Sequence, residues 1–419
     1  MDLIRANDLD LARFIQPGDV VVLGQGSGEP LTLSEMLVEQ RSRLGGIQLF
    51  LGASFSRVFQ PEHCDFIRYS GLGGVGASRR LIQNGGFEIY PVHMSQLPGH
   101  FAEKRIRCDV VLLQAGIADD GRWTFGVTSD YMSAAIANAR TVIAEVNSQV
   151  PRTRSRTELD GASIDVAIQS DRPLLAVPAA AIGPTEERIA RHVSEFIPDR
   201  AVLQIGIGAI PEAIMSQLRD RKDLGIHSGM IGDSVAELVE AGVITNAFKP
   251  IDAGSTVTGT LIGTEKLFRF ADDNTDLLVE RTEYTHNPQV LAKFHNFISI
   301  NSALEVDLTG QINSESVNGQ YMGAVGGALD YVRAAVASPG GHSIIALQSM
   351  TGNRSKIVSQ LSGPATTPRS DADIIVTEWG AAQLRGLSLR QRTIAMLGIA
   401  HPEHRERLER EARGQGLLD

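Results

Sequence analysis

The stretch Ala201–Ile214, AVLQIGIGAIPEAI, holds the fold in miniature. The apolar run Ala201 to Ile207 reads as a buried strand; Gly206 and Gly208 interrupt it, and Pro211 and Glu212 open a helix. A strand that passes through glycines straight into a helix is the first half of a βα unit. Continuous apolar runs, as opposed to alternating ones, belong to parallel strands covered on both faces. The same grammar occurs near the start, where Asp19 to Gly24 runs into GQGSGEP, Gly24–Pro30.

Working outward from these two turns, further strands are predicted at Ile47–Ser54, Phe87–Ser95, Cys108–Gly116 and Thr141–Asn147. A Pro/Gly break at VPAAAIGP precedes an amphipathic helix, and strands follow at Leu224–His227, Ser255–Gly263, Phe297–Asp307, His342–Leu347 and Asp373–Thr377. Two charged helices, Ser388–Ala400 and Pro402–Arg413, close the chain. At 419 residues two cores are expected, since a single core stops growing beyond about 250–300 residues. The sequence therefore predicts the α/β class, with two related open α/β domains covering 1–183 and 184–419.

Composition removes several functions. A formal charge of −10 with no basic face argues against a nucleic-acid partner. No stretch approaches the ~18 apolar residues of a membrane span, and the start has no apolar signal core, so a cytoplasmic protein without a membrane partner is expected. Cys64 and Cys108 read as buried fillers of a reducing compartment, and no His/Cys/Asp spacing forms a metal site.

The turn GIGAIP lets backbone N–H groups and a helix N-terminus approach an anion, which makes Gly206, Gly208 and Ile210 candidate ligand contacts. It is not a dinucleotide fingerprint, because Pro211 and Glu212 stand where a third glycine belongs, and a plain tight turn explains it equally well. Gly326-Gly327, ahead of a helical run, can offer unobstructed amides to an oxyanion or simply turn the chain. TEYTHNP, Thr282–Pro288, puts Glu283, His286 and Asn287 in a loop before a proline, where polar groups can face a cleft. Glu378 ends the apolar strand DADIIVTEWG, on the side where open α/β sheets bind ligands, or caps the next element. Asp233 and Ser234 read as a helix cap, and Arg152 and Arg154 as a surface loop able to clamp a carboxylate or a phosphate. Gln25, His63 and Tyr131 are further candidates for the substrate end.

Taken in order, AEVNSQVPRT, QIGIGAIPEAI, LGIHSGMIGDSVAELVEAGVIT, SINSALEVDLTGQINSES, GAVGGALDYVRAA and VTEWGAAQLRGLSLRQR resemble the acetyl-CoA hydrolase/transferase family. That group includes the 4-hydroxybutyrate and succinyl-CoA:acetate CoA-transferases. The resemblance spans nearly the whole chain. It implies two α/β domains with an acyl-CoA site in the cleft between them, no permanently bound cofactor, coenzyme A as part of the substrate, and a homodimer or higher homo-oligomer. It also implies a glutamate that attacks the thioester and carries CoA as a glutamyl thioester. That glutamate belongs at Gly229 of His227-Ser228-Gly229-Met230, and glycine has no nucleophile. A second departure is His286, where the family commonly carries asparagine.

Gly326-Gly327, Glu378 and Glu283 match the family pattern. The leading expectation is hydrolysis of an acyl-CoA, at the thioester or at a carbon–carbon bond of a cyclic or β-diketone CoA ester. His286, oriented by Glu283 or Glu378, would activate water while the Gly327 N–H steadies the oxyanion. Two alternatives are CoA transfer with Glu283 or Glu378 as substitute nucleophile, and a non-catalytic acyl-CoA-binding protein.

Overall fold

The computed structural model describes residues 2–419, with side chains from residue 4 onward. The chain forms two compact units, and neither is one continuous segment. The first comprises 1–178, Gly229–Asp233 and Ser255–Asn287; the second comprises Ala179–Ser228, Ser234–Gly254 and Pro288–Asp419. Near the expected break at Gly183 the partition falls after Pro178, and two later segments pack with the N-terminal unit.

The first unit is built on a mostly parallel sheet. Its strands run, edge to edge, Asp2–Ile4, Val166–Ser170, Thr141–Asn147, Val110–Ile117, Val20–Leu23, Ile47–Leu51, Ile67–Gly71 and Phe87–Ile89, and Trp123–Thr124 pairs antiparallel with Val110–Ile117. Alternate residues enter opposite cores. Val20, Val22 and Phe50 pack with Phe101 and Tyr131 on one face, while Val21, Leu23 and Leu49 pack with Leu33 and Leu37 on the other. Burial on both faces is the reason these strands read as unbroken apolar runs.

From Val20–Leu23 the chain proceeds outward through Ile47–Leu51 on one side, and from Val110–Ile117 outward on the other. The carboxyl ends of these two adjacent strands are therefore a topological switch point, the place where open α/β sheets receive ligands.

The second unit repeats the plan on a smaller scale, with strands in the order Gly225–Ile226, Val202–Ile205, Phe297–Asn301, His342–Ala346, Ile374–Thr377 and Gly380–Gln383. All neighbours are parallel except the last pair. The opening motif behaves as read: Val202–Ile205 leads through Gly206–Gly208 into the helix Ala209–Ser216. Gly208 takes φ +114°, a conformation that residues with a Cβ avoid.

Two expected strands are each divided. Phe297–Asp307 becomes Phe297–Asn301 plus Glu305–Asp307, the latter in a small separate sheet with Ile312–Asn313 and Ile357–Val358. Ser255–Gly263 breaks at Gly259, where an added Cβ would lie 2.9 Å from the Gly229 carbonyl oxygen. Ser388 caps Leu389–Ile399 through a capping box, and Pro402–Gly414 follows. Among the described residues no helix is long and apolar enough to cross a membrane.

Candidate functional site

In the first unit, Gly229 and the TEYTHNP segment lie on one strip of backbone hydrogen bonds. The Gly259 N–H donates to the Gly229 carbonyl (3.2 Å), the Asp130 N–H to the Gly259 carbonyl (3.3 Å), the Thr282 N–H to the Asp130 carbonyl (2.8 Å) and the His286 N–H to the Thr282 carbonyl (2.9 Å). TEYTHNP is not the open loop expected of it. Thr282–Thr285 is a single helical turn with His286 at its C-terminus, and Pro288 starts the next short helix.

His286 is correspondingly enclosed, 6 % exposed, and burial pulls its imidazole down to about 3, because the cationic form would lose its hydration. Its Nδ1 lies 2.9 Å from the Thr285 hydroxyl, which is itself within 3.4 Å of the Arg281 carbonyl. If the hydroxyl donates to that carbonyl, Nδ1 carries the ring proton and Nε2 keeps its lone pair. The partner in place at Nδ1 is thus Thr285, whereas a carboxylate of Glu283 or Glu378 was expected to orient the ring. Glu283 is half-buried, and its Oε2 is enclosed with no hydrogen-bond partner among the described residues. Such an atom is costly unless a ligand or water serves it. Asn287 is half-buried and donates through Nδ2 to the Glu283 carbonyl (3.1 Å).

The arginine-rich loop is what straps this segment down, a role that needed partners the sequence does not place nearby. Arg152 binds Asp272, Asp273 and Asp119 at 2.7–3.0 Å, and the Val279 N–H donates to the Arg154 carbonyl (2.8 Å). The Arg156 N–H donates to Glu280 Oε1 (2.8 Å), and Ser155 Oγ lies 3.3 Å from Oε2 of the same, 1 % exposed, carboxylate. With three aspartates around it, Arg152 is not held ready for a substrate anion.

Arg152 also lines a cavity of about 1240 Å³ between Asn147–Arg152 and Glu265–Asp272. None of Gly229, Glu283, His286 and Asn287 lines it. This cavity and the hydrogen-bonded strip are separate, and the strip is the better guide to function because it gathers the unusual polar groups.

At the switch point of the first sheet, Gln25 donates through Nε2 to Asp130 Oδ2 (2.5 Å), and Thr260 Oγ1 donates to the same oxygen (3.0 Å). Burial raises the Asp130 carboxyl to about 6. Tyr131, a substrate-end candidate, is instead fully buried, its hydroxyl donating to the Leu23 carbonyl (2.9 Å). His63 sits in a short 3-10 turn and accepts the Gln60 N–H. Glu29 of GQGSGEP is 2 % exposed, accepts from the Ser56 hydroxyl (2.6 Å), and is pushed up to about 7 by burial. Sequence reading passed over Glu29 and Asp130; an acidic residue inside a Gly-rich turn after a buried strand is the signal that could have raised Glu29.

The remaining candidates belong to the second unit. Gly206, Gly208 and Ile210 are half-buried at the start of the helix Ala209–Ser216. Gly326 takes φ +57°, and Gly327 is the N-cap of the helix Ala328–Ala337, whose first-turn N–H groups lack intrahelical acceptors. Glu378 follows the strand Ile374–Thr377, and both its oxygens are taken: Ser349 donates its N–H to Oε2 (2.8 Å) and its hydroxyl to Oε1 (2.6 Å). Ser228 exchanges hydrogen bonds with Ile205 and is structural. Cys108 is buried and raised to about 12, but Cys64 is exposed, contrary to its reading as a filler. Asp233 accepts from both the N–H (2.9 Å) and hydroxyl (2.8 Å) of Thr264, so it braces a neighbouring helix start. Among the described residues no group of three or more His, Cys, Asp or Glu could hold a metal ion.

Comparison with known proteins agrees with this architecture. Residues 3–177 match the acetyl-CoA hydrolase/transferase N-terminal domain and residues 263–412 the C-terminal domain. The chain is 38 % identical over 401 residues to the 4-hydroxybutyrate coenzyme A transferase of Clostridium kluyveri, covering 93 % of each. It is 27 % identical to an acetyl-CoA hydrolase of Kluyveromyces lactis, covering 90 % of this chain and 83 % of that one. The crystal structure of RipA from Yersinia pestis superimposes with a TM-score of 0.93 at 29 % identity, over 99 % of this chain and 98 % of that one. With both domain models matched in order and a close relative aligned along almost its whole length, the chain belongs to the acetyl-CoA hydrolase/transferase family.

Proposed function

We propose that this protein hydrolyses an acyl-CoA thioester with water activated at His286, without a glutamyl-CoA intermediate. The observation that carries the reading is the strip on which Gly229, with no side chain, and a neutral buried imidazole are joined through four hydrogen bonds. Water attacks the acyl carbon, the C–S bond breaks, and the proton lost by water passes through His286 Nε2 to the departing sulfur, giving a free carboxylic acid and CoA thiol. Burial that holds the ring near 3 keeps the imidazole neutral, so Nε2 can accept water's proton and pass it quickly to the thiolate, although so low a value also weakens it as a base toward water. Glu283 Oε2 is suited to hold the attacking water, since it has unused accepting capacity.

The second reading is CoA transfer, and Glu283 is the carboxylate that favours it. Its free oxygen could attack a thioester, whereas both oxygens of Glu378 are occupied by Ser349. Acyl-CoA esters incubated with and without acetate or succinate, followed by mass spectrometry for free CoA and new CoA esters, separate the readings. Acceptor-independent release of CoA that disappears in His286→Ala supports hydrolysis. New esters of the added acid, with a glutamyl adduct trapped by hydroxylamine or borohydride on Glu283, would replace it with transfer. Cleavage of a carbon–carbon bond would keep the role of His286 and change the substrate. Tight binding with no turnover of any ester would leave only an acyl-CoA-binding protein.

A further inference from the structure

We propose that Asp130 is the positioning residue of this site: through the Gln25–Asp130–Thr260 cluster it sets the placement of the His286 turn. The inference rests on the hydrolytic reading above only for its kinetic consequence. Asp130 is 3 % exposed and takes φ +21°, sparsely populated by residues with a Cβ, so the surrounding bonds must hold it there. Every polar group it owns is used. Oδ2 accepts from Gln25 and Thr260, and Oδ1 from the Tyr131 N–H; its own N–H reaches Gly259, and its carbonyl receives Thr282. The last two bonds are the middle links of the strip that joins Gly229 to His286.

Gln25 extends the cluster to the switch point, because its Oε1 accepts the Ala53 N–H (2.8 Å). The cluster thus connects the loop after Val20–Leu23, the loop after Ile47–Leu51, the Gly259 break and the His286 turn through one carboxylate. Displacing a reacting group by an ångström is enough to cost about 10²-fold in rate, so the cluster has kinetic leverage without touching substrate.

A donor–acceptor swap tests this. Asp130→Asn places an amide donor among three donors, Gln25 Nε2, Thr260 Oγ1 and the Tyr131 N–H, and one bond must fail. Adding Gln25→Glu supplies a carboxylate that the new amide can donate to, while Oε1 still receives Ala53. The expected result in the full-length protein is a kcat about ten- to a hundred-fold lower in Asp130→Asn with KM for the acyl-CoA little changed, and most of the loss recovered in the double variant. Hydrogen–deuterium exchange of peptides spanning 280–287 is expected to quicken about ten-fold in the single variant and to return in the double. Thr260→Val, a smaller change at the same oxygen, should move the same peptides in the same direction if Asp130→Asn does not fold.

Unchanged exchange at 280–287, or equal loss in single and double variants, overturns the proposal. The exchange readout does not depend on turnover. A wild type without His286-dependent hydrolysis would therefore sink the functional reading while the exchange pattern still decides the role of Asp130.

Discussion

The Arg156 guanidinium lies 4.7 Å from the centroid of the Tyr284 ring while its own backbone N–H binds Glu280, so one residue of the arginine-rich loop grips two of the residues that lead into His286. This arrangement makes Arg156 a stability determinant for the candidate site. Arg156→Ala keeps the backbone N–H to Glu280 and is expected to cost about 1–2 kcal/mol, through the lost cation–π contact and the loss of the guanidinium charge 3.9 Å from the buried Glu280 carboxylate. Thermal unfolding should show a fall of about 2–4 °C per kcal/mol, and Arg156→Lys should retain part of the stability.

Because burial holds His286 near 3, the folded protein binds its proton less tightly than the unfolded chain, whose histidine titrates near 6.5. Its contribution to stability is complete above about 6.5 and is lost as pH falls toward about 3. Urea midpoints of the wild type and His286→Asn, compared at pH 7 and pH 5, should show the wild type losing about 2 kcal/mol more than the variant on acidification.

Glu29 carries the opposite sign. Its carboxyl is raised to about 7, so the folded state binds the proton more tightly and stability declines as pH rises from about 4.5 to about 7. Glu29→Gln removes this decline: relative to wild type, its stability should rise by about 2–3 kcal/mol between pH 5 and pH 8, measured by denaturant titration. A difference that stays constant across the range would place the ionisation elsewhere.

Gly52 packs against the switch-point cluster, where an added Cβ would sit 2.6 Å from the Tyr131 hydroxyl and closer still to Gln25 Oε1. Gly52→Ala should therefore destabilise by about 1–3 kcal/mol and, by pushing Gln25 away, quicken amide exchange in 280–287 as well.

The legible parts of the fold are those whose residues face a core on both sides. Val20–Leu23, Thr141–Asn147 and Val202–Ile205 announce themselves because nothing polar interrupts them until Glu145 or Gln204. Ile67–Gly71 and Val166–Ser170 were not read as strands: Arg68 and Gln169 face outward and leave only short apolar stretches. The opening βα motifs and the family likeness were readable because glycine turns and motif order are local properties.

The enclosure of His286 was not readable. It depends on Glu280 meeting Arg156 across 124 positions and on Asp130 meeting Gln25 across 105. The same distance hid the strapping role of Arg152–Arg156, which in isolation resembles any basic surface loop. Glu378 looked available at the end of its strand, since nothing in DADIIVTEWG reveals that Ser349 fills both oxygens.

The chain passes between its two compact units after Pro178, Ser228, Asp233, Gly254 and Asn287. This interleaving constrains how such a protein can be inherited or rebuilt. A single recombination event near residue 183 would give a chimera an N-terminal portion from one parent while taking Gly229, Gly259 and His286 from the other. Asp130 would then have to pair with backbone it did not evolve beside. A change of character in such a chain is thus easier by point substitution within one unit than by swapping halves.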